Sequence, residues 1–456
     1  MNFIVSLNNS TEISLIIEKN AQNNYILKSK LDGQEFIKFN ILNSEIEIVY
    51  LNNKLVETEE ILKQRIIEFL ISNNLINDWG SEDSEDDNNE ISIEESPYDP
   101  DLIRVDTKQF SLRQIYDMIE DGDIDLTPDF QRNLVWDGQR KSRLIESILM
   151  RIPLPIFYFA EDNDGRISVV DGLQRLSTIY SFMKNDLKLK NLEYLKDKCC
   201  GKVYRNEKEP EKAIDGKYFR WFNSTQITVN VIDPSSPFKL KYDIFKRINT
   251  GGLPLNSQEI RNCLAGETFR SFLRKMAESV EFKKATGNSI KHIRLEDHEF
   301  VLRFILFFDK YNEDKALNNY SGNIDFELNA LTERLSRLKD TLDIKKYEDA
   351  FLTAMKNSSH LFGKYSFRKV LNEHLQPNAR KQLINKALFV VWSVLLSKYN
   401  NNKIRQYPEE MLTKLLADEI TNDEIFFAYL TYGTNSKINI KYVFSKCEEI
   451  IKKAGI

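Results

Sequence analysis

Residues 81–101 are the segment that most limits how this chain can fold. They contain ten acidic residues, no basic residue and almost no apolar side chain. Mutual repulsion and strong hydration oppose the burial of such a run in a hydrophobic core. We therefore predict an extended linker over residues 76–101, which separates residues 1–75 from residues 102–456. A nucleic-acid mimic, or a tether for a basic partner, is the alternative function of this run.

Residues 25–51 alternate between apolar and polar side chains, with a turn signal at Asp32 and Gly33. A period of two residues is typical of half-buried antiparallel strands. A helical pattern with an apolar stripe begins at Glu59. Residues 1–75 are thus predicted to form a small β-rich domain with one helix.

Residues 102–265 mix both kinds of pattern. Ser111 and Asp137 are placed to cap helices, and two short apolar runs, residues 156–160 and 167–170, are predicted to be strands joined by a turn. After residue 254 the patterns are almost entirely helical, beginning with a capping-box signal at residues 256–259 and including a predicted amphipathic helix over residues 380–398. The predicted fold class is α+β, with a mixed α/β module over residues 102–265 and a helical domain over residues 266–456.

Charge and composition exclude several function classes. A formal charge of −5 gives no general attraction to nucleic acid, although a local basic surface remains compatible with it. Four cysteines, two of them adjacent, form neither a disulfide framework nor a spaced zinc site. No apolar run approaches the roughly 20 residues that span a bilayer. We expect a cytoplasmic protein without a membrane partner.

The sequence VVDGLQR at residues 169–175 predicts a buried strand, a tight turn and the start of a helix. The free amide groups and the dipole of a helix N-terminus favour an anion, typically phosphate. Gly172 permits close approach of a ligand, Gln174 offers a donor and an acceptor, and Arg175 can bind two phosphate oxygens. Asp171 could hold a metal ion or polarise water. In the alternative interpretation, Asp171 is a helix cap and Arg175 a surface charge.

Two further segments favour the phosphate interpretation. Residues 127–137 place a second pair, Gln131 and Arg132, beside a tryptophan and just before a helix. Residues 244–256 have the glycine and polar content of a loop that can wrap a ligand with its backbone. The candidate nucleotide-binding residues of this second segment are Arg247, Asn249, Thr250, Gly251 and Gly252.

The order of these motifs resembles the GmrSD-type N-terminal domain family. The matching stretches are residues 128–136, 144–149, 152–155, 169–175, 247–252 and 258–261. The resemblance is strongest over residues 103–265, and residues 294–304 are similar to a helical extension of the family. It implies a ParB/sulfiredoxin-like fold that binds and hydrolyses nucleoside triphosphates, often coupled to restriction of modified phage DNA.

Carried onto this chain, the resemblance implies a phosphate-binding set of Asp171, Gly172, Gln174 and Arg175, with Gln131 and Arg132 opposite. Leu173 departs from the family, which usually has a glutamine at this position. Full-length relatives carry a C-terminal His-Me finger nuclease. The best candidate histidine here, His374, is followed by a helical pattern rather than a ββα unit, so we do not expect a nuclease in this chain.

The leading hypothesis is a Mg²⁺-dependent NTPase of bacterial antiphage defence, in which Asp171 and Arg175 are catalytic and Asp171 holds the metal. It would act as a nucleotide-driven switch with a separate effector protein. One alternative is a DNA-binding or DNA-nicking protein, and another is a non-enzymatic interaction protein. Basic residues that could contact DNA are Arg140, Lys141, Arg143, Lys364, Arg368, Lys369, Arg380 and Lys381. The nucleotide base and the oligomeric state stay open.

Overall fold

The computed structural model describes residues 3–7, 12–20, 24–30, 32–42, 45–57, 59–72, 104–126, 136–162, 165–248, 255–290, 292–337 and 342–456. The predicted linker at residues 76–101 lies outside these ranges, as do Gln131, Arg132 and residues 249–252. Among the described residues, no helix has both the length and the apolar character needed to cross a membrane.

The N-terminal part is a five-stranded antiparallel sheet in which each strand pairs with the next. Its strands are β1 (Phe3–Ser6), β2 (Glu12–Asn20), β3 (Asn24–Ser29), β4 (Glu35–Leu42) and β5 (Glu45–Leu51). Helix α1 (Glu59–Ser72) packs its apolar face on the sheet core. The predicted strands and helix are confirmed. The alternation did not reveal β1 or β2, because each contains three consecutive apolar residues.

A second sheet has the strand order β6-β10-β8-β9-β7. The strands are β6 (Val105–Ser111), β7 (Ile124–Asp125), β8 (Phe157–Glu161), β9 (Ile167–Asp171) and β10 (Gln226–Ile232). β9 runs antiparallel to β8, β10 runs parallel to β8, and β6 runs antiparallel to β10. The end of β9 therefore lies at the same sheet edge as the starts of β8 and β10.

Helices cover both faces of this sheet. The first group is α2 (Leu112–Glu120), α3 (Gly138–Leu149), α4 (Leu173–Met183), α5 (Lys196–Cys199) and α6 (Gly216–Ser224). It shares one core with Phe157, Phe159 and Val169. On the other face, α7 (Phe238–Ile248) and α8 (Ser257–Leu264) pack with Ala160 and Val170. The alternation of strand side chains thus separates two cores, as expected for a sheet buried on both faces.

The remaining helices share one large core. They are α9 (Glu267–Ala277), α10 (Val280–Thr286), α11 (Glu296–Glu313), α12 (Ile324–Ser336), α13 (Leu342–Phe362), α14 (Lys386–Leu396), α15 (Asn401–Ile404), α16 (Met411–Asn422), α17 (Glu424–Tyr429) and α18 (Lys437–Lys453). The predicted α+β class, with a helical C-terminal part, is confirmed.

The prediction of an amphipathic helix over residues 380–398 was wrong in two respects: the helix starts later, and it has no exposed polar face. Asn385 caps α14 by accepting a hydrogen bond from the Leu388 amide, so the helix begins at Lys386. Every residue from Ala387 to Leu396 is buried. α14 packs against α11, α13 and α18, and a helix enclosed in this way needs no polar face.

Candidate functional site

The turn between β9 and α4 is built around Gly172. Its φ of 102° lies in the left-handed region that favours glycine. A Cβ atom at this position would lie 2.3 Å from Cδ1 and 2.8 Å from Cε1 of the Phe157 ring. The close approach that Gly172 permits is therefore made by an aromatic side chain from the neighbouring strand.

Arg175 folds back from the first turn of α4 onto the start of β8. Its Nη2 donates to Asp171 Oδ2 at 2.8 Å and to the Ile156 carbonyl at 3.2 Å, and its Nη1 donates to the Pro155 carbonyl. The guanidinium carbon lies 4.1 Å from the centre of the Phe157 ring. The side chain is only 11% exposed, so the alternative interpretation as a solvated surface charge was wrong. Burial lowers the pKa of the guanidinium, and Asp171 opposes this shift.

Asp171 ends β9 and does not cap α4. Its carboxylate pairs with Arg175 and is 41% exposed, while the capping position is occupied by Gly172, whose lack of a side chain leaves α4 without a side-chain cap. By contrast, Ser111 and Asp137 cap α2 and α3 as predicted, by accepting from backbone amides. Among the described residues no side chain caps α4, and the amides and dipole of such a helix start favour an anion.

Gln174 supplies a buried polar group beside this open helix start. Its Oε1 atom is buried and has no hydrogen-bond partner among the described residues. An unpaired buried amide costs about 1–3 kcal/mol, so a partner from a ligand would stabilise it. Because the oxygen and nitrogen of an amide are assigned from their surroundings, either end could face such a ligand.

Residues 112–265 match the family model described as the GmrSD restriction endonuclease, N-terminal domain. This region is a domain of the GmrSD N-terminal type. The resemblance inferred from the spaced motifs is thereby confirmed for this part of the chain. The match runs from the first residue of α2 to just beyond α8, and β6, which precedes it, completes the sheet by pairing with β10. No curated protein and no solved structure matches the chain.

Leu173, the departure from the family motif, begins α4 in the GmrSD-type domain. It is partly buried and packs against the cores on both sheet faces. A leucine at this position adds apolar contact where the helix leaves the sheet. The substitution is therefore compatible with the fold of the turn.

Glu146, in the second motif of the GmrSD-type domain, holds a neighbouring loop. The residue is 2% exposed. Its carboxylate accepts hydrogen bonds from the amides of Glu193, Tyr194 and Leu195 at 3.0, 2.7 and 2.7 Å. Amide donors satisfy a buried carboxylate in this geometry. We infer a structural role for this motif.

Arg261, in the last motif, joins the GmrSD-type domain to the helices that follow. It is 1% exposed and donates to Asn329 Oδ1 at 2.9 Å, to Gln258 Oε1 at 3.3 Å and to Asp325. Asn329 and Asp325 belong to α12, so this contact crosses the predicted domain boundary at residue 265. The predicted capping box nearby is confirmed, since Asn256 and Glu259 exchange hydrogen bonds of 2.7 Å.

The structure brings together only part of the predicted nucleotide site. Asp171, Gly172 and Arg175 are in contact, and Gln174 lies on the same turn. Arg247 is exposed on the last turn of α7, and no contact joins it to that turn among the described residues. The other predicted ligands, Gln131, Arg132, Asn249, Thr250, Gly251 and Gly252, lie outside the described residues.

A basic cavity that is largely open to solvent lies at the same sheet edge and was not predicted from the sequence. It has a volume of about 650 Å³ and lies where β6 ends and β10 begins. Three arginines and two aromatic residues line it: Arg113, Arg205, Arg220, Tyr204 and Phe219. These side chains come from separate parts of the chain, so no local run of basic residues in the sequence indicates the cavity. Among the described residues, Arg113 pairs with Asp117 and Arg205 with Glu207.

One of the basic residues proposed to contact DNA is unsuitable. Arg368 is 1% exposed, and its guanidinium donates to the carbonyls of Gln382 and Thr286 and to Ser289 Oγ. It ties together buried backbone of the helical part and cannot reach a phosphodiester.

His374, the nuclease candidate, lies in a short 3₁₀ turn, where its Nδ1 accepts from the Leu371 amide.

None of the four cysteines belongs to residues 169–175 of the turn, although Cys263 packs in the same core as Val170. Cys199, Cys263 and Cys447 are buried, and Cys200 is exposed. Burial raises the pKa of the Cys199 thiol to about 11, which keeps it protonated and unreactive near neutral pH. Cys263 is buried in the core between the sheet and α7.

Proposed function

We propose that the β9–α4 turn binds the phosphates of a nucleoside triphosphate, and that the chain acts as a nucleotide-driven switch in restriction-type antiphage defence. The observation that carries the proposal is the start of α4, which no described side chain caps and which lies beside a buried arginine and a carboxylate. The GmrSD-type domain supports the restriction context. A separate effector protein would receive the signal.

Within this proposal, Arg175 is first a positioning residue. Two of its hydrogen bonds, to the Pro155 and Ile156 carbonyls, hold the turn against the start of β8, and a third joins it to Asp171 within the turn. Arg132 and Arg247 would complete the positive surface around the phosphates. Gln174 would bind a polar group of the nucleotide through its unpaired amide end.

Asp171 is the proposed metal and water ligand. One of its oxygens accepts from Arg175, and its 41% exposure leaves the carboxylate open to solvent. Carboxylate oxygen is a ligand that Mg²⁺ prefers, so the residue fits this ion. Bound Mg²⁺ would neutralise phosphate charge during attack of water on the γ-phosphorus and release of the diphosphate. The residues of the turn would orient the triphosphate for that attack.

Calorimetry with ATP, GTP, CTP and UTP in the presence of Mg²⁺ tests the proposal. Wild type is expected to bind at least one of them, and Asp171→Asn to retain binding but to lose turnover by at least about 100-fold. Asparagine still accepts a hydrogen bond from Arg175, so the turn should persist. Arg175→Ala is a poorer variant because it also removes the contacts that hold the turn.

Arg166→Ala is the matched control, since Arg166 is 61% exposed and pairs with Glu267 away from the turn. It should bind and hydrolyse like wild type. If wild type binds none of the four nucleotides at millimolar concentration, the proposal fails. If Asp171→Asn hydrolyses the nucleotide at the wild-type rate, Asp171 is not catalytic, but the proposed nucleotide binding stands.

DNA binding is the second candidate function, and the basic aromatic cavity favours it. Arginine and aromatic side chains around one cavity suit the phosphates and bases of a nucleic acid. If the cavity binds DNA, removing two phosphate contacts with Arg205→Ala and Arg220→Ala should make the negative slope of log K against log salt concentration shallower by about 1.8. Arg337→Ala, a 75% exposed control, should leave the slope unchanged. Salt-insensitive or absent DNA binding by wild type would exclude this candidate.

A further inference from the structure

Three side chains with metal-binding chemistry converge where the chain enters α11. They are His292, Asp297 and His298, and their ligand atoms all lie within 4.8 Å of one another. His292 Nδ1 is 3.0 Å from Asp297 Oδ2, and the two imidazole rings are 5.1 Å apart between centroids. None of these residues belongs to the β9–α4 turn.

His298 is the member that needs a partner. It is 0% exposed, and neither of its ring nitrogens has a hydrogen-bond partner among the described residues. Burying polar atoms without a partner costs about 1–3 kcal/mol for each group. A neutral imidazole carries one nitrogen lone pair, which is the group that binds a metal ion.

The backbone bends just before α11, which places the His292 ring beside His298 at the start of the helix. Arg294 and Leu295 both adopt left-handed conformations, with φ of 57° and 59°. Such conformations cost roughly 1–2 kcal/mol for each residue with a side chain. Surrounding contacts hold them: Leu295 is fully buried in the core it shares with Val170, and Arg294 donates to Glu259 Oε2 at 3.0 Å.

Asp297 is oriented as a ligand by its own helix turn. Its Oδ1 accepts from the His298 amide at 2.8 Å, which leaves Oδ2 directed at His292. A carboxylate held in this way fixes the position of the neighbouring imidazole. The geometry is thus set by backbone and side-chain contacts together.

We propose that His292, Asp297 and His298 bind a divalent transition metal ion. Two imidazole nitrogens and one carboxylate oxygen are a ligand set suited to Zn²⁺ or Fe²⁺. Bonds of about 2.0–2.1 Å at tetrahedral angles separate ligand atoms by roughly 3.3 Å, so small side-chain rotations would close the site. Three protein ligands leave a position for water, and His292, with a side chain 42% exposed, faces solvent.

Metal titration of the chelator-treated full chain tests this site. Zn²⁺ is expected to raise the melting temperature of wild type by several degrees, and Co²⁺ to give visible absorption that saturates at one ion per chain. His298→Leu should keep the metal-free melting temperature of wild type or exceed it, because leucine removes two unpaired buried nitrogens. It should also weaken Zn²⁺ binding by at least about 100-fold.

His292→Ala is the second variant, and it decides the outcome if His298→Leu does not fold. Its side chain is partly exposed, so the fold should persist while the Zn²⁺ shift is lost. His374→Gln, outside the cluster, should behave like wild type. Titration with Fe²⁺ under anaerobic conditions identifies the preferred ion. The absence of a wild-type shift with both ions, or an equal Zn²⁺ shift in wild type and His292→Ala, would overturn the proposal.

Discussion

Replacing Gly172 with alanine is expected to destabilise the GmrSD-type domain by about 2–4 kcal/mol. Two effects add. A side chain at φ 102° is strained, and the new Cβ would lie 2.3 Å from the Phe157 ring, which Arg175 and the core hold in place. Either the ring moves or the turn opens, and each displaces Arg175 from the Pro155 and Ile156 carbonyls.

Hydrogen exchange of the α4 amides during urea titration measures the loss of stability around the turn. A local measurement is needed because a chain of this size need not unfold in a single step. Gly122→Ala is the matched control: φ is 80° and nothing lies within 4 Å of the added Cβ, so only strain of about 1 kcal/mol is expected. Equal losses in the two variants would show that the Phe157 contact does not constrain the turn.

Arg261→Ala is expected to destabilise the junction between α8 and α12 by about 3–4 kcal/mol. The guanidinium is 1% exposed and donates to three side chains from two helices, so its removal leaves Gln258 and Asn329 without their partner. Arg261→Lys should rescue only part of the loss, because an ammonium cannot reproduce the planar fork of donors.

Urea unfolding followed by exchange of the α12 amides measures this effect. Arg337→Ala is the control, since Arg337 follows the last residue of α12, is 75% exposed and pairs with Glu333 of α12, a pair worth less than about 0.5 kcal/mol. Nucleotide binding by the folded fraction should be unchanged, because the hydrogen bonds of Arg261 join α8 to α12. If the free energy of unfolding of Arg261→Ala lies within roughly 1 kcal/mol of the wild-type value, Arg261 does not hold α8 against α12 as proposed.

The two metal proposals concern different chemistry and can fail separately. Asp171 offers hard carboxylate oxygen beside a phosphate-binding helix start, which suits Mg²⁺. The cluster of His292, Asp297 and His298 offers imidazole nitrogen, which suits Zn²⁺ or Fe²⁺. Leu295 beside this cluster and Val170 beside Asp171 pack in the same core. Loss of one site leaves the other testable with its own ion.

Local patterns in the sequence determined the secondary structure around the site. The strand β9, the glycine turn and the start of α4 follow from apolar spacing and from Gly172, which the turn conformation requires. Ser111, Asp137 and Asn256 cap their helices as predicted, because a cap is a hydrogen bond between residues two or three positions apart. Spaced motifs also identified the GmrSD-type domain.

Only the tertiary structure decided which side chains have partners and which are buried. Arg175 contacts residues 19 and 20 positions earlier in the chain, and the cavity collects arginines from α2, α6 and the loop before it. His298 and Arg368 look like ordinary polar residues in the sequence, yet both are buried. Burial and pairing of this kind arise from contacts between distant segments, whereas helix periods and caps are encoded within a few neighbouring residues.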